Sequence, residues 1–249
     1  MYQVTSKACA AVDGDNTENI MKRYSLIAFD LDGTLLDSKD GIASAFNASL
    51  KACRYPEVDP AQVHHLIGLP LDVMYAQIFN RTVSQVEFAR LLAAYADVYQ
   101  DQVFDMTTVM PGAAKLLEAL NHRGVRLTVA TSKGPSTAKL LDHLGLRRHF
   151  ALVVTRDMVA HPKPHPDMLH YTLKTLAIKP HESLMVGDTI YDMEMGQSAA
   201  VDTCGITHGS HDREKLMAVS PTYIVDSYSE ILDLIGRQRY NERDYGEVA

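Results

Sequence analysis

The chain has no tryptophan and only three cysteines in 249 residues. Cys9, Cys53 and Cys204 are far apart and odd in number. No Cys-x-x-Cys pair and no Cys/His grouping at zinc spacing occurs, so neither a disulfide framework nor a structural zinc site is expected. A reduced, cytoplasmic protein is the simple reading. Long apolar runs are also missing, and none approaches the roughly 20 residues needed to cross a bilayer. Residues 1–22 are polar and carry no apolar stretch of the signal-peptide kind, so they read as a flexible leader. Basic residues are outnumbered, 24 Lys and Arg against 31 Asp and Glu, giving a formal net charge of −7. That balance speaks against a general nucleic-acid binder and against an anionic membrane surface. It leaves room for a small anionic substrate, because a local site can be positive on an acidic protein. The eleven histidines are scattered and suggest no ligand set.

What is present is a chain long enough for a sizeable core, with 46% hydrophobic residues. One stretch organises it. Tyr24–Ser38 reads Y-S-L-I-A-F-D-L-D-G-T-L-L-D-S. An apolar run, Leu26–Phe29, delivers Asp30 and Asp32, and residues two apart on a strand point the same way. Gly33 lets the chain turn sharply. Two carboxylates side by side at the end of a buried strand repel unless a cation or a shared proton intervenes. Chemistry is expected there.

From Asp37 to about Thr108 the apolar residues recur at three- and four-residue spacing, with no convincing strand. Helices are expected over Asp37–Arg54, Val63–Ile67, Leu71–Phe79 and Val86–Val103, with Gly68-Leu69-Pro70 as punctuation. After Pro111 the texture alternates. Strands are expected at Val125–Thr131, Ala151–Thr155, Ser183–Gly187, Val201–Ile206 and Tyr223–Val225, with helices between them. Such alternation predicts right-handed βαβ units and a parallel sheet. The expected fold class is therefore α/β: a Rossmann-like, three-layer parallel-sheet core with an inserted all-helical cap domain. The core takes 23–38 and 109–235, the cap 39–108, and a charged tail 236–249.

Sites in open α/β sheets form at the C-terminal ends of the strands. Asp30 and Asp32 end the first strand, Thr131 and Ser132 the second. Lys163 stands in a proline-bounded loop, H-P-K-P-H-P, and Asp188 ends a later strand with Asp192 four residues on. Clustered carboxylates with one lysine suit a hard dication such as Mg²⁺, which takes a few carboxylates, waters and a phosphate oxygen. Thr131 and Ser132 can donate to phosphate oxygens at a helix N-terminus. Lys163 supplies a point charge. Asp30 can attack phosphorus as a nucleophile, and Asp32 can move the proton. Singly, each piece has a plain alternative: an acidic turn, a helix cap, a solvated lysine. Their order at successive strand ends is what joins them.

D-L-D-G-T-L-L-D-S, V-A-T-S-K, K-P-H-P and G-D-T-I-Y-D-M-E together resemble the four ordered motifs of the haloacid dehalogenase superfamily. The helical insertion after the first motif is similar to the cap of its phosphoglycolate phosphatase-like members. The resemblance implies Asp30 as nucleophile and Asp32 as general acid/base. It implies Gly33, Thr131, Ser132 and Lys163 as phosphoryl-binding positions. It implies Mg²⁺ held by Asp30, the backbone carbonyl of Asp32, and Asp188, with Asp192 in support. The superfamily's dehalogenases lack the second aspartate of the first motif, so Asp32 favours phosphoryl transfer. Two departures weaken an assignment to phosphoglycolate: Ala199-Ala200 where an alanine-glycine pair is common, and Ser132 where asparagine is frequent.

The expectation is a Mg²⁺-dependent phosphatase acting on a small phosphorylated metabolite through an aspartyl phosphate, as a monomer or homodimer. A sugar phosphomutase on the same core and a non-catalytic phosphate-binding protein are the alternatives. From Lys39 to Thr108, five basic residues face eight acidic ones. A carboxylated substrate would need one well-placed cation in this block, and Lys51 and Arg54 are the candidates.

Overall fold

The structure, a computed structural model, describes residues 24–98 and 103–236. The leader expected over 1–22, the charged tail past Gly236, and residues 99–102 of the expected Val86–Val103 helix lie outside the described residues.

Six parallel strands form the central sheet. They are β1 (Leu26–Phe29), β4 (Arg126–Thr131), β5 (Leu152–Thr155), β6 (Ser183–Gly187), β7 (Asp202–Ile206) and β8 (Tyr223–Val225), in the order β5-β4-β1-β6-β7-β8. β1 lies between β4 and β6, pairing Leu26 with Arg126 on one side and Ser183 on the other. The chain thus leaves β1 in both directions, which opens a crevice at the C-terminal ends of β1, β4 and β6.

Both faces of the sheet are covered, so its strands are mostly apolar rather than alternating. Ile27 and Phe29 join one buried cluster with Leu116, Leu117 and Leu120 of α6 (Ala113–His122), Leu140 and Leu141 of α7 (Thr137–His143), and Ile231 of α11 (Tyr228–Ile235). Leu26 and Ala28 join the other, with Met168, Leu169 and Leu173 of α8 (Asp167–Leu176) and Met195 of α9 (Ile190–Ser198). The α/β, three-layer parallel core is as expected.

The helical block between β1 and β4 holds α1 (Lys39–Ala52), α2 (Pro60–His64), α3 (Leu71–Phe79), α4 (Gln85–Val98) and the short α5 (Phe104–Met106). It has a core of its own around Ile42, Phe46, Leu50, Ile67, Met74, Tyr75 and Leu91. Phe46 stacks on Tyr75 with ring centroids 4.3 Å apart, a contact worth about 1 kcal/mol beyond burial.

Two expectations need correction. A two-stranded antiparallel ribbon, β2 (Leu36–Asp37) with β3 (Thr108–Val109), ties the two ends of the helical block together. Each strand is two residues long and leaves no periodic pattern to read. The helix expected to open just after Thr131-Ser132 begins at Thr137 instead. Pro135 disfavours helical backbone at the residue before it, so Ser132–Ser136 stays a loop. Thr131 and Ser132 therefore do not open a helix. α10 (Arg213–Met217), between β7 and β8, completes the helices among the described residues.

Candidate active site

Each strand end at the crevice contributes one part. Asp30 directly follows β1, and its amide donates to the Val186 carbonyl at 2.9 Å, which continues the ladder and fixes where its carboxylate starts. The chain then turns back at Gly33, whose φ is +80°. A Cβ at Gly33 would stand 2.2 Å from Asp188 Oδ2, so only glycine allows this approach. Thr34, next in line, donates its hydroxyl to Asp188 Oδ1 at 2.7 Å, and the Ser210 amide donates to Asp188 Oδ2 at 2.7 Å. Two donors from opposite sides thus aim Asp188 at Asp30.

Lys163 is 2% exposed and reaches two carboxylates at once. Its Nζ lies 2.6 Å from Asp30 Oδ1 and 2.6 Å from Asp192 Oδ1. The second oxygen of Asp192 accepts from the Thr189 amide at 3.0 Å and the Thr189 hydroxyl at 2.7 Å. Asp192 is therefore a capping-box residue of α9 that also holds the lysine in place. Burial disfavours a charged lysine, but Asp192 and Asp30 outweigh it and hold Lys163 in its charged form.

Oxygens of Asp30, Asp188 and Asp192 all lie within 4.8 Å of one another. Three buried carboxylates facing one ammonium leave this group short of positive charge. Burial, with Asp192, Asp188 and Asp32 nearby, pushes Asp30 well above the usual carboxylate range, against the pull of Lys163. Burial and Asp192 push Asp188 up to about 6. An all-oxygen donor set with surplus negative charge fits a hard divalent cation. The Asp32 carboxylate is not in this group. It turns to Lys133, whose Nζ lies 2.8 Å away, and to the Ser38 hydroxyl. The Asp32 side chain, expected among the metal-holding carboxylates, thus stands apart from the Asp30, Asp188 and Asp192 group.

The remaining positions lie around the same cavity. Thr131 is buried at the end of β4, and its hydroxyl oxygen accepts from the Lys133 amide at 3.2 Å. Ser132 turns to the helical block, donating to the Gly68 carbonyl at 2.9 Å. Gly68, at φ +103°, brings the loop after α2 to the crevice. A Cβ there would lie 2.8 Å from the Thr189 methyl. Asp30, Asp32, Thr131, Ser132, Gly68 and Lys133 line one cavity of about 170 Å³ between the sheet edge and the helices.

The family model for haloacid dehalogenase-like hydrolases matches residues 27–206. The chain belongs to that family. A protein named "Probable phosphatase IndB", from Dickeya dadantii (strain 3937), is 39% identical over 210 residues, covering 83% of this chain and 91% of its own length. The phosphoglycolate phosphatase of Vibrio parahaemolyticus serotype O3:K6 is 30% identical over 218 residues, covering 84% of this chain and 95% of its own. Among solved structures, a predicted phosphoglycolate phosphatase from Haemophilus somnus 129PT superposes with a TM-score of 0.77 at 26% identity, over 86% of this chain and 99% of its own.

Against this family background, the residues that sequence reasoning missed are instructive. Lys133 sits inside the quoted V-A-T-S-K, yet only Lys163 was expected as the cation of the site. Both lysines face carboxylates, one each for Asp30 and Asp32. Thr34 and Thr189 stand beside motif aspartates, and a search for hydroxyls next to them would have found both. Ser210 donates only its backbone amide, and no residue type announces that. Lys51 and Arg54 do not reach the cavity. Lys51 pairs with Glu57 at 3.5 Å on the outer surface, and Arg54 is exposed.

Proposed function

We propose that the protein is a Mg²⁺-dependent phosphatase that hydrolyses a small phosphomonoester through a phosphorylated Asp30. That it is a phosphatase of the haloacid dehalogenase-like hydrolase family rests on the family match and on relatives so named. The observation that supports the finer reading is the split of the two motif aspartates between two lysines. Asp30 meets Lys163 at 2.6 Å, and with a dication beside it as well its carboxylate would be anionic for attack on phosphorus. Asp32, with Lys133 at 2.8 Å, lies two residues beyond and faces the same cavity. It protonates the leaving oxygen, then takes a proton from the water that clears the aspartyl phosphate.

Asp30, Asp188 and the Asp32 carbonyl would hold Mg²⁺, with Asp192 behind them. The ion, when bound, neutralises charge on the phosphoryl oxygens. Thr131, Lys133, Lys163 and backbone amides after Asp32 orient the phosphoryl group in line with Asp30. The helical block acts as a cap that excludes water from the reacting centre. Asp32 favours phosphoryl transfer to water or a sugar over dehalogenation. No residue of the cap favours a mutase specifically, so hydrolysis is the reading adopted.

The test is a panel of phosphomonoesters with Mg²⁺, scored by phosphate release. Wild-type protein should release phosphate from at least one member. Asp30→Asn should lose at least about 10³-fold in kcat while keeping its circular dichroism. Turnover retained in that variant sinks the mechanism. Isomerised sugar phosphate without phosphate release would instead establish a mutase.

A further inference from the structure

We propose that the part of the substrate beyond the phosphate is uncharged and apolar, no larger than one ring, and not a carboxylate. The proposal rests on the phosphatase reading above and concerns the cap wall of the same cavity. Above Asp30 and Asp32, that wall is made of Ile42, Ile67, Leu69, Met74, Leu92 and Tyr95. No basic residue among the described residues of the helical block lines the cavity. Lys51 and Arg81 pair with Glu57 and Glu87, at 3.5 and 2.6 Å, away from it.

Two cations do line the cavity, and both come from the core. Lys133 is held to Asp32 at 2.8 Å. Arg156 stands 3.2 Å from Asp72, across the seam between core and helices. A carboxylate in this chamber would give up its water for apolar side chains and for two cations already facing aspartates, an unfavourable exchange. An apolar group would lose water against an apolar wall, a favourable one. Size bounds the group as well: an apolar cavity of about 150 Å³ takes up benzene, and this one of about 170 Å³ must also hold the phosphoryl group above Asp30, so the apolar part is no larger than one ring.

Calorimetric titration of the full chain with Mg²⁺ tests this with two non-hydrolysable probes, phenylphosphonate and phosphonoacetate. Phenylphosphonate should bind at least about 10-fold more tightly, and with the more negative heat-capacity change. Leu92→Lys places a cation on an already exposed position of α4 and should narrow or invert the preference. In turnover, phenyl phosphate should exceed phosphoglycolate in kcat/KM by a similar factor. Equal or tighter binding of phosphonoacetate by the wild-type protein overturns the proposal and leaves the phosphatase reading standing. Binding of neither probe, with no phosphate released from any ester, overturns the phosphatase reading and this proposal with it.

Discussion

At and beneath the floor of the cavity, Asp30, Asp32, Asp188 and Asp192 meet two lysines, the hydroxyls of Thr34, Ser38 and Thr189, and the backbone amides of Thr189 and Ser210. At its roof stand Ile42, Ile67, Leu69, Met74, Leu92 and Tyr95. The floor is a network of charges whose positions are set from several strand ends at once. Its energy depends on every partner being present, because an unpaired buried charge is costly. The roof depends on shape and area, and single changes there are tolerated more readily. The difference assigns the two halves of the task. On the function proposed above, reaction chemistry belongs to the sheet edge and choice of substrate to the helices, so replacing one apolar side chain of the roof should leave the chemistry untouched.

The contrast can be broken most severely on the floor. Lys133→Met leaves Asp32 buried with the Ser38 hydroxyl as its remaining named partner, and removes a cation from the cavity. Kinetics on the best ester should show kcat/KM down by about 10²–10³-fold. A change confined to KM would mean that Lys133 only attracts substrate.

A smaller effect is expected at the seam. Ser132→Ala removes the hydrogen bond to the Gly68 carbonyl that joins sheet edge to helices. The loss is about 1 kcal/mol, so kcat/KM should fall roughly 5-fold. Circular dichroism melting should move little. If the Tm falls as far as the activity does, the contact serves the fold rather than closure.

The smallest effect lies off both surfaces, after α9. Ala200 is exposed and holds φ at +55°, in the left-handed region where a Cβ is strained. Ala200→Gly should raise stability in chemical denaturation by up to about 1 kcal/mol, with activity unchanged. Relief of strain without any gain in turnover keeps stability and chemistry separate, as the comparison of floor and roof requires.

How far the sequence reached follows the same division. The buried strands were legible because both their faces are covered, and Leu26–Phe29 and the Leu184–Val186 centre of β6 therefore read as unbroken apolar runs. Asp30 and Asp188 were legible because each directly follows such a strand, and Asp32 and Asp192 by their spacing of two and four residues from them. What escaped has physical reasons too. The ribbon of Leu36–Asp37 with Thr108–Val109 pairs segments some seventy residues apart and is too short for a period. Lys133 was passed over because strand alternation says nothing about a loop residue beyond the strand end. The apolar roof was invisible because Ile67, Met74 and Leu92 belong to three separate segments of the helical block. Each looks like an ordinary core position until the helices are placed over the sheet.

The central claim is that Asp30 carries the phosphoryl group. Acid-quenching the enzyme during turnover of its best ester, then reducing with borohydride, converts an aspartyl phosphate to homoserine. Peptide mass spectrometry should find homoserine at position 30 in the wild-type protein and none in a control reduced without substrate. Homoserine at another carboxylate, or none at all in protein that is releasing phosphate, would contradict the account.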